Sequence, residues 1–217
     1  MDRLPGRIFV LMLRAAAEKI EASKSELTEL DCLTGDGDHG TTMAMVMDAA
    51  ASAAEKYKGN DFKGILSAVS TAILSVGGGA TVPLLGSLFG GMSSSMPEEI
   101  SEVSVRELAA AFNKGAERLI KLSKAAEGDK TLIDALIPGI GAMKAESESG
   151  SDMVRMLEAA ASAAADGAER TKGYAARHGR AKNLGERTIG VSDPGSVSIS
   201  LIFKAFAERA KGVCDGR

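Results

Sequence analysis

The sequence predicts an all-α fold: one domain over residues 1–217, with eight helices. Three observations carry that prediction. Apolar residues recur at helical spacing along most of the chain. Ala, Leu, Met and Gly supply the apolar content, with few β-branched runs. The stretches between periodic segments are polar and rich in glycine. At 45% hydrophobic and 25% charged residues over 217 positions, the chain has the composition of a globular protein with ample core.

The elements follow in order. A first helix is predicted from Arg7 to Ser23, with Ile8, Leu11, Met12, Ala15, Ala16 and Ile20 along one face. After a polar turn from Thr34 to Gly40, a second runs from Thr41 to Tyr57. Asp61 is an N-cap for the third, which ends at the Gly77-Gly78-Gly79 break. The fourth, Thr81 to Met92, carries Gly86, Ser87, Gly90 and Gly91, small enough for a neighbouring helix to approach closely. Ser104 caps a fifth helix through Ala125. The sixth, Leu132 to Ala145, contains Pro138 and is expected to kink. Ser151 opens a seventh, alanine-rich helix reaching Ala176. A glycine-spaced loop from Arg177 to Gly195 precedes the eighth, Val197 to Ala210. The alternation from Ser196 to Ser200 is the one strand-like stretch, and it is short.

Charge and composition exclude several classes. The balance of 26 Lys+Arg against 29 Asp+Glu offers no basic field for nucleic acid, and six Phe, two Tyr and no Trp leave few stacking platforms. Cys32 and Cys214 form no disulfide framework, which fits a reducing, cytoplasmic setting. The apolar run from Ile65 to Gly91 is broken by three glycines and Pro83 into pieces too short to span a bilayer. No signal peptide is recognisable at the N-terminus.

Chemistry concentrates in the loops. Asp31, Asp36 and Asp38 stand within eight residues, spaced by glycines, as a hard oxygen-seeking cation such as Mg²⁺ requires. Thr41 and Thr42 follow at a helix start, whose amides and dipole favour phosphate. An ordinary capped acidic turn would have the same residues, and EF-hand spacing is absent. Gly77-Gly78-Gly79-Ala80-Thr81 leads into a helix and would let an anion or base approach its amides, or serve only to break a helix; it is not a Walker A loop. Gly128 to Asp134 reads as a capping turn. Arg180 and Arg187 lie in a glycine-spaced loop that suits phosphate, or pairs with structural carboxylates.

Taken in order, GDGDHGTTM (35–43), SVGGGAT (75–81), GDKTLIDAL (128–136), GRAKNLGERTIG (179–190) and DPGS (193–196) strongly resemble the nucleotide-binding L-subunit family of dihydroxyacetone kinases. The resemblance implies an eight-helix up-and-down barrel with nucleotide bound in the loops at one end. It implies two Mg²⁺ ions held by Asp31, Asp36 and Asp38. Nucleotide contacts map to His39, Gly40, Thr41, Thr42, Ala80, Thr81, Ser123, Leu132, Arg180, Asp193, Pro194 and Gly195, with Arg180 also acting on the phosphates. The glycine loop departs from the family's usual GGxSG, and Ser123 stands where some relatives have glycine. His178 is given no role.

The function this implies is a kinase subunit, presenting the terminal phosphoryl group of ATP to a small ketose held by a separate K-type subunit. Two mechanisms are open: direct use of ATP, or ADP as a permanently bound coenzyme rephosphorylated by a phosphotransferase-system M subunit. GDGD with Thr-Thr resembles the ATP-using relatives and His39 the phosphotransferase-linked ones; direct use of ATP is preferred. Homodimerisation is also open. The alternative from another class is a non-catalytic barrel binding a lipid or a regulator.

Overall fold

The computed structural model describes residues 1–216. Its order is β1 (Arg3–Pro5), α1 (Gly6–Ala22), α2 (Lys24–Thr34), α3 (His39–Lys56), α4 (Phe62–Leu74), α5 (Thr81–Ser95), β2 (Glu102–Ser104), α6 (Val105–Ser123), α7 (Ile133–Ser149), α8 (Met153–Arg170) and α9 (Pro194–Cys214). Three short 3₁₀ turns, Thr171–Gly173, Ala181–Asn183 and Gly185–Thr188, lie between α8 and α9. The all-α expectation holds, with nine α-helices among the described residues in place of eight.

The additional helix is α2. It buries only Leu27 and Thr34, so its sequence carries almost no apolar periodicity. The strand-like alternation at 196–200 lies inside α9, where its small side chains pack in the first turns after the Asp193 cap. The seventh expected helix starts at Met153, because Asp152 and not Ser151 accepts the Arg155 N–H as N-cap. It stops at Arg170, and a 3₁₀ turn follows. The short β1–β2 ribbon pairs Arg3 with Ser104 in antiparallel register and ties the chain start to the entry of α6.

The caps that do match explain the boundaries. Asp61 accepts the Gly64 N–H at 2.7 Å. Ser104 and Glu107 form a reciprocal capping box at the start of α6. Pro138 lies within α7 and cannot donate to the Asp134 carbonyl. That same carbonyl is crowded by α8, where a Cβ on Gly167 would come within 2.1 Å of it.

Packing is cyclic. The helices α1, α3, α4, α5, α6, α7, α8 and α9 each pack on the next, and α9 returns to α1, while α2 lies against α3 and α9. The small residues of α5 set its distance from α6: a Cβ on Gly91 would sit 2.8 Å from Gly115 Cα, and one on Gly115 would sit 2.5 Å from the Leu88 carbonyl. Inside, Phe9 contacts Phe62 and Phe206 at centroid distances of 5.4 and 5.9 Å, and Phe112 contacts Phe203 and Phe206 at 5.6 and 6.5 Å. These rings bridge α1, α4, α6 and α9 across the interior, each burying a large apolar area in tilted or edge-on geometry. Among the described residues no helix is long and apolar enough to cross a membrane.

Candidate functional site

A cavity of about 710 Å³ is lined from four connections: α2–α3, α4–α5, α6–α7 and α8–α9. These are alternate connections around the ring, as an up-and-down order produces when its loops gather at one end.

The α2–α3 loop supplies the acidic wall. Asp31 lies in the last turn of α2, and its Oδ2 accepts the His39 N–H at 3.1 Å. Two glycines make this approach possible. A Cβ on Gly35 would lie 2.2 Å from Asp31 Oδ1, and Gly37 has φ +77°, a left-handed conformation that side chains disfavour. Asp31, Asp36 and Asp38 each present an oxygen such that all three lie within 4.8 Å of one another. An all-carboxylate set with two exposed members fits a hard divalent cation that keeps water or phosphate oxygens in its remaining positions. Arg180 from the opposite wall pairs with Asp36 and reaches Asp38 at 3.6 Å.

His39, at the first residue of α3, is buried, and its Nε2 lies 2.8 Å from Ser198 Oγ. Ser198 donates its hydroxyl hydrogen to the Pro194 carbonyl, so it accepts from His39, which places the ring proton on Nε2. Burial pulls the His39 pKa below its ordinary value, against the pull of Asp31 and Asp38. A neutral imidazole thus ties the start of α3 to the start of α9. Thr42 lines the cavity one turn on. Gly40 and Thr41 do not line it. Gly40 faces α2, where a Cβ would meet the Lys24 carbonyl at 2.2 Å, and Thr41 is exposed.

The α4–α5 loop brings Gly79, Ala80 and Thr81 to the cavity, and Gly78 sits so near Thr42 that a Cβ there would be 3.0 Å from its methyl. The α6–α7 turn contributes Ser123 and the buried Leu132. From the α8–α9 side come Arg180 and the Asp193-Pro194-Gly195 start of α9, where Asp193 accepts the Ser196 N–H at 2.7 Å. Of the fifteen residues the sequence marked, the structure gathers all but Gly40 and Thr41 around one cavity.

The sequence reading missed the polar floor beneath them. Lys130 lines the cavity, is 3% exposed, and has φ +60°, a left-handed conformation uncommon for any residue but glycine. Its ammonium donates to the Thr171 carbonyl at 2.6 Å and to the Val191 carbonyl. Burial lowers its pKa. Asp134, also buried, accepts the Gly128 and Thr131 N–H groups and fixes the turn that carries Lys130. Burial pushes the Asp193 carboxyl up to about 7, with Asp134 nearby adding to the rise and Lys130 opposing it. The GDKT motif was visible; that its lysine turns inward was not.

Residues 33–208 match the family described as the DAK2 domain. The chain belongs to the DAK2 domain family. Over 193 residues this DAK2 domain is 35% identical to the ADP-binding subunit DhaL of the PEP-dependent dihydroxyacetone kinase of Escherichia coli, covering 88% of this chain and 91% of that one. It is also 35% identical over 191 residues to the corresponding PTS-dependent subunit of Lactococcus lactis, with the same coverage. The L-erythrulose kinase of Pectobacterium atrosepticum is 31% identical over 195 residues, which make up 33% of that protein. Among solved structures, the dihydroxyacetone kinase of C. freundii in complex with AMP-PNP and Mg²⁺ superposes with a TM-score of 0.73 at 25% identity. The match covers 96% of this chain and 34% of that one, so the chain spans about a third of the larger kinase.

Proposed function

We propose that this DAK2 domain is the ADP-binding subunit of a dihydroxyacetone-type kinase that works with a separate ketose-binding K-type subunit. The observation that supports it most is the convergence of three carboxylates and an arginine at the mouth of a cavity of nucleotide size. Asp31, Asp36 and Asp38 would hold Mg²⁺, two ions by the family's pattern. Mg²⁺ bound there would neutralise phosphate charge and align the donor and acceptor oxygens.

The chain's own residues do the rest by position. Gly79, Ala80 and Thr81 open one wall for the nucleotide, and Leu132 gives the base an apolar surface. The α9 start at Asp193, Pro194 and Gly195 closes the other side. Arg180 supplies a mobile positive charge that exchanges its carboxylate partners for phosphate oxygens. Neutral His39 keeps the α3 and α9 helix starts in fixed relation at the cavity.

Between the two mechanisms, the relatives favour retained ADP. The E. coli and L. lactis proteins named PEP- or PTS-dependent are matched over nearly their whole length, whereas the erythrulose kinase is matched over 33% of its own. The preference for direct use of ATP therefore gives way to ADP as a bound coenzyme, recharged by a phosphotransferase M subunit. The interior is filled by the chain's own buried apolar side chains, Phe9, Phe62, Phe112 and Phe206 among them, which weighs against the lipid-binding alternative.

The test is compositional. Chain purified without added nucleotide is denatured and its supernatant chromatographed for ADP. Native protein is then supplied with a K-type subunit, dihydroxyacetone, and either ATP or PEP with the phosphotransferase proteins. Co-purified ADP and PEP-driven turnover support the coenzyme reading; ATP-driven turnover with empty protein returns it to direct use; no nucleotide binding at all overturns the proposal.

A further inference from the structure

The segment from Arg177 to Arg187 forms a strap beside the cavity, with His178, Gly179, Arg180, Ala181 and Asn183 in its wall. Its base is pinned on both sides. The Ala176 N–H donates to the buried Thr188 hydroxyl at 2.9 Å, and the Gly190 N–H donates to the Lys172 carbonyl at 2.7 Å. Two sets of ties then hold its free portion to the facing loops. On one flank, Arg180 pairs with Asp36 and Asp38. On the other, Asp129 of the α6–α7 turn takes the strap at three points. Its carbonyl accepts the Arg177 N–H at 3.1 Å, its Oδ1 pairs with the Arg177 guanidinium at 3.3 Å, and its Oδ2 lies 3.1 Å from His178 Nε2.

These two flanks are not equivalent. Arg180 is tied to the groups that would hold a cation, so a bound nucleotide and its cations change its partners. Asp129 touches none of those groups and can hold the strap in either state. Its side chain is only 13% exposed, and the Ala126 N–H fixes Oδ2 at 2.9 Å. That N–H first, then Arg177 and His178, hold its carboxyl below the ordinary range, so it is an anion at neutral pH.

We infer that Asp129 is a positioning residue that clamps the Arg177–His178 end of the strap and thereby sets how slowly nucleotide leaves the cavity. The inference rests on the nucleotide-binding reading above and adds to it the element that separates a retained coenzyme from an exchangeable one. Asp129 acts through Arg177 and His178 and itself touches no reacting atom.

The test is the dissociation rate of a fluorescent N-methylanthraniloyl ADP in Mg²⁺, measured by stopped-flow chase on the whole chain. Asp129→Asn is compared with the Arg177→Gln/His178→Gln pair and with all three changes together. The pair removes the strap's two side-chain contacts while leaving Asp129 bonded to Ala126 and the Arg177 N–H on its carbonyl. It also substitutes two residues exposed enough, 71% and 36% at their side chains, that folding is not at stake. The expected result is about a three- to tenfold faster release in Asp129→Asn and in the pair, the scale of a partly exposed charge-assisted contact. The triple variant should release no faster than either, and His178→Lys in the Arg177→Gln background should restore much of the slow release. An unchanged rate in the pair overturns the clamp, even if Asp129→Asn melts early, since that pattern marks a purely structural aspartate. Unmodified chain that binds no labelled ADP instead overturns the nucleotide reading beneath it.

Discussion

At the scale of single residues, the site is a balance of charges that the chain holds by itself. Arg180 neutralises part of the carboxylate cluster and so competes with any cation for Asp36 and Asp38. Arg180→Ala should therefore bind Mn²⁺ more tightly than the unmodified chain when no nucleotide is present, and bind ADP more weakly when Mn²⁺ is present. Electron paramagnetic resonance titration reads both, and weaker Mn²⁺ binding by the nucleotide-free variant would refute the competition. Asp36→Ala and Asp38→Ala should abolish phosphoryl transfer with partner subunits while circular dichroism stays helical, because both side chains lie in a loop and fill no helical face. Full activity in either would remove it from the cation site. Asp193 gives a pH signature. Its folded pKa of about 7 stands above the unfolded 3.8, so its ionisation favours the unfolded chain. Its contribution to stability is whole below pH 4 and is lost as pH rises through 7, with no further change above. Asp193→Asn keeps a good N-cap and cannot ionise. Its denaturation free energy should accordingly gain on the unmodified chain between pH 4 and 7, by an amount of order a few kcal/mol, and level off beyond. A difference flat with pH would show that the carboxyl is not held neutral. The carboxylates were legible in sequence because glycines flank them. Lys130 was not, since its burial depends on a left-handed turn and on carbonyls 41 and 61 residues away.

At the scale of elements, what sequence could show depended on whether the signal was local. Asp61 and the Ser104–Glu107 box act over three residues, and both helix starts were legible. The helix α2 was not, because with only Leu27 and Thr34 buried it has no apolar face to repeat. The β1–β2 ribbon joins residues about a hundred positions apart through three-residue strands, one of them holding Pro5, and no periodicity fits in that length. The seventh helix was overextended past Arg170 because alanines continue, although the chain needs a 3₁₀ turn there to bring the Thr171 carbonyl to Lys130. Small residues tell the same story in reverse. The glycines of α5 suggested close approach: Gly91 meets Gly115 of α6, while Gly86 and Gly90 face Leu74 and Ser70 of α4. Gly115→Ala would press a methyl against the Leu88 carbonyl, 2.5 Å away, and should cost about 1–3 kcal/mol in chemical denaturation. Gly141→Ala is the contrast: it lies in α7 with nothing within 4 Å of the added carbon, so it should stabilise by about 0.5–1 kcal/mol. If both changes have the same sign, the α5–α6 contact is not set by backbone approach.

At the scale of the whole molecule, the packing ring and the site divide the work. The ring places four loop clusters around one cavity, and its interior is filled by apolar side chains, among them the phenylalanine cluster. Leu33, Leu74, Leu122 and Ile189 are each more than half exposed, and each lies at or next to the end of an element that precedes one of those loops or α9. Large exposed apolar side chains suit a partner's surface better than water. On the proposed function the cavity's charged and apolar groups serve phosphates, cations and a base, and two of its neutral polar side chains are engaged within the chain: Ser123 with α6 and His39 with Ser198. On that reading the ketose is fixed by the K-type partner and not by this chain. Holding two reactants in register is worth roughly 7–11 kcal/mol in well-oriented systems, so a chain that grips only the donor should be nearly inert. Purified alone, it should bind ADP with Mg²⁺ in a calorimeter yet phosphorylate no triose or tetrose ketose at a measurable rate. Adding a K-type subunit should restore transfer, and exchanging that subunit for one of different preference should change the acceptor used. Charged substitutions at Leu33 and Leu74 should weaken that rescue without altering ADP binding by the isolated chain. Ketose phosphorylation by the chain alone would mean that the sugar finds its register among these helices after all.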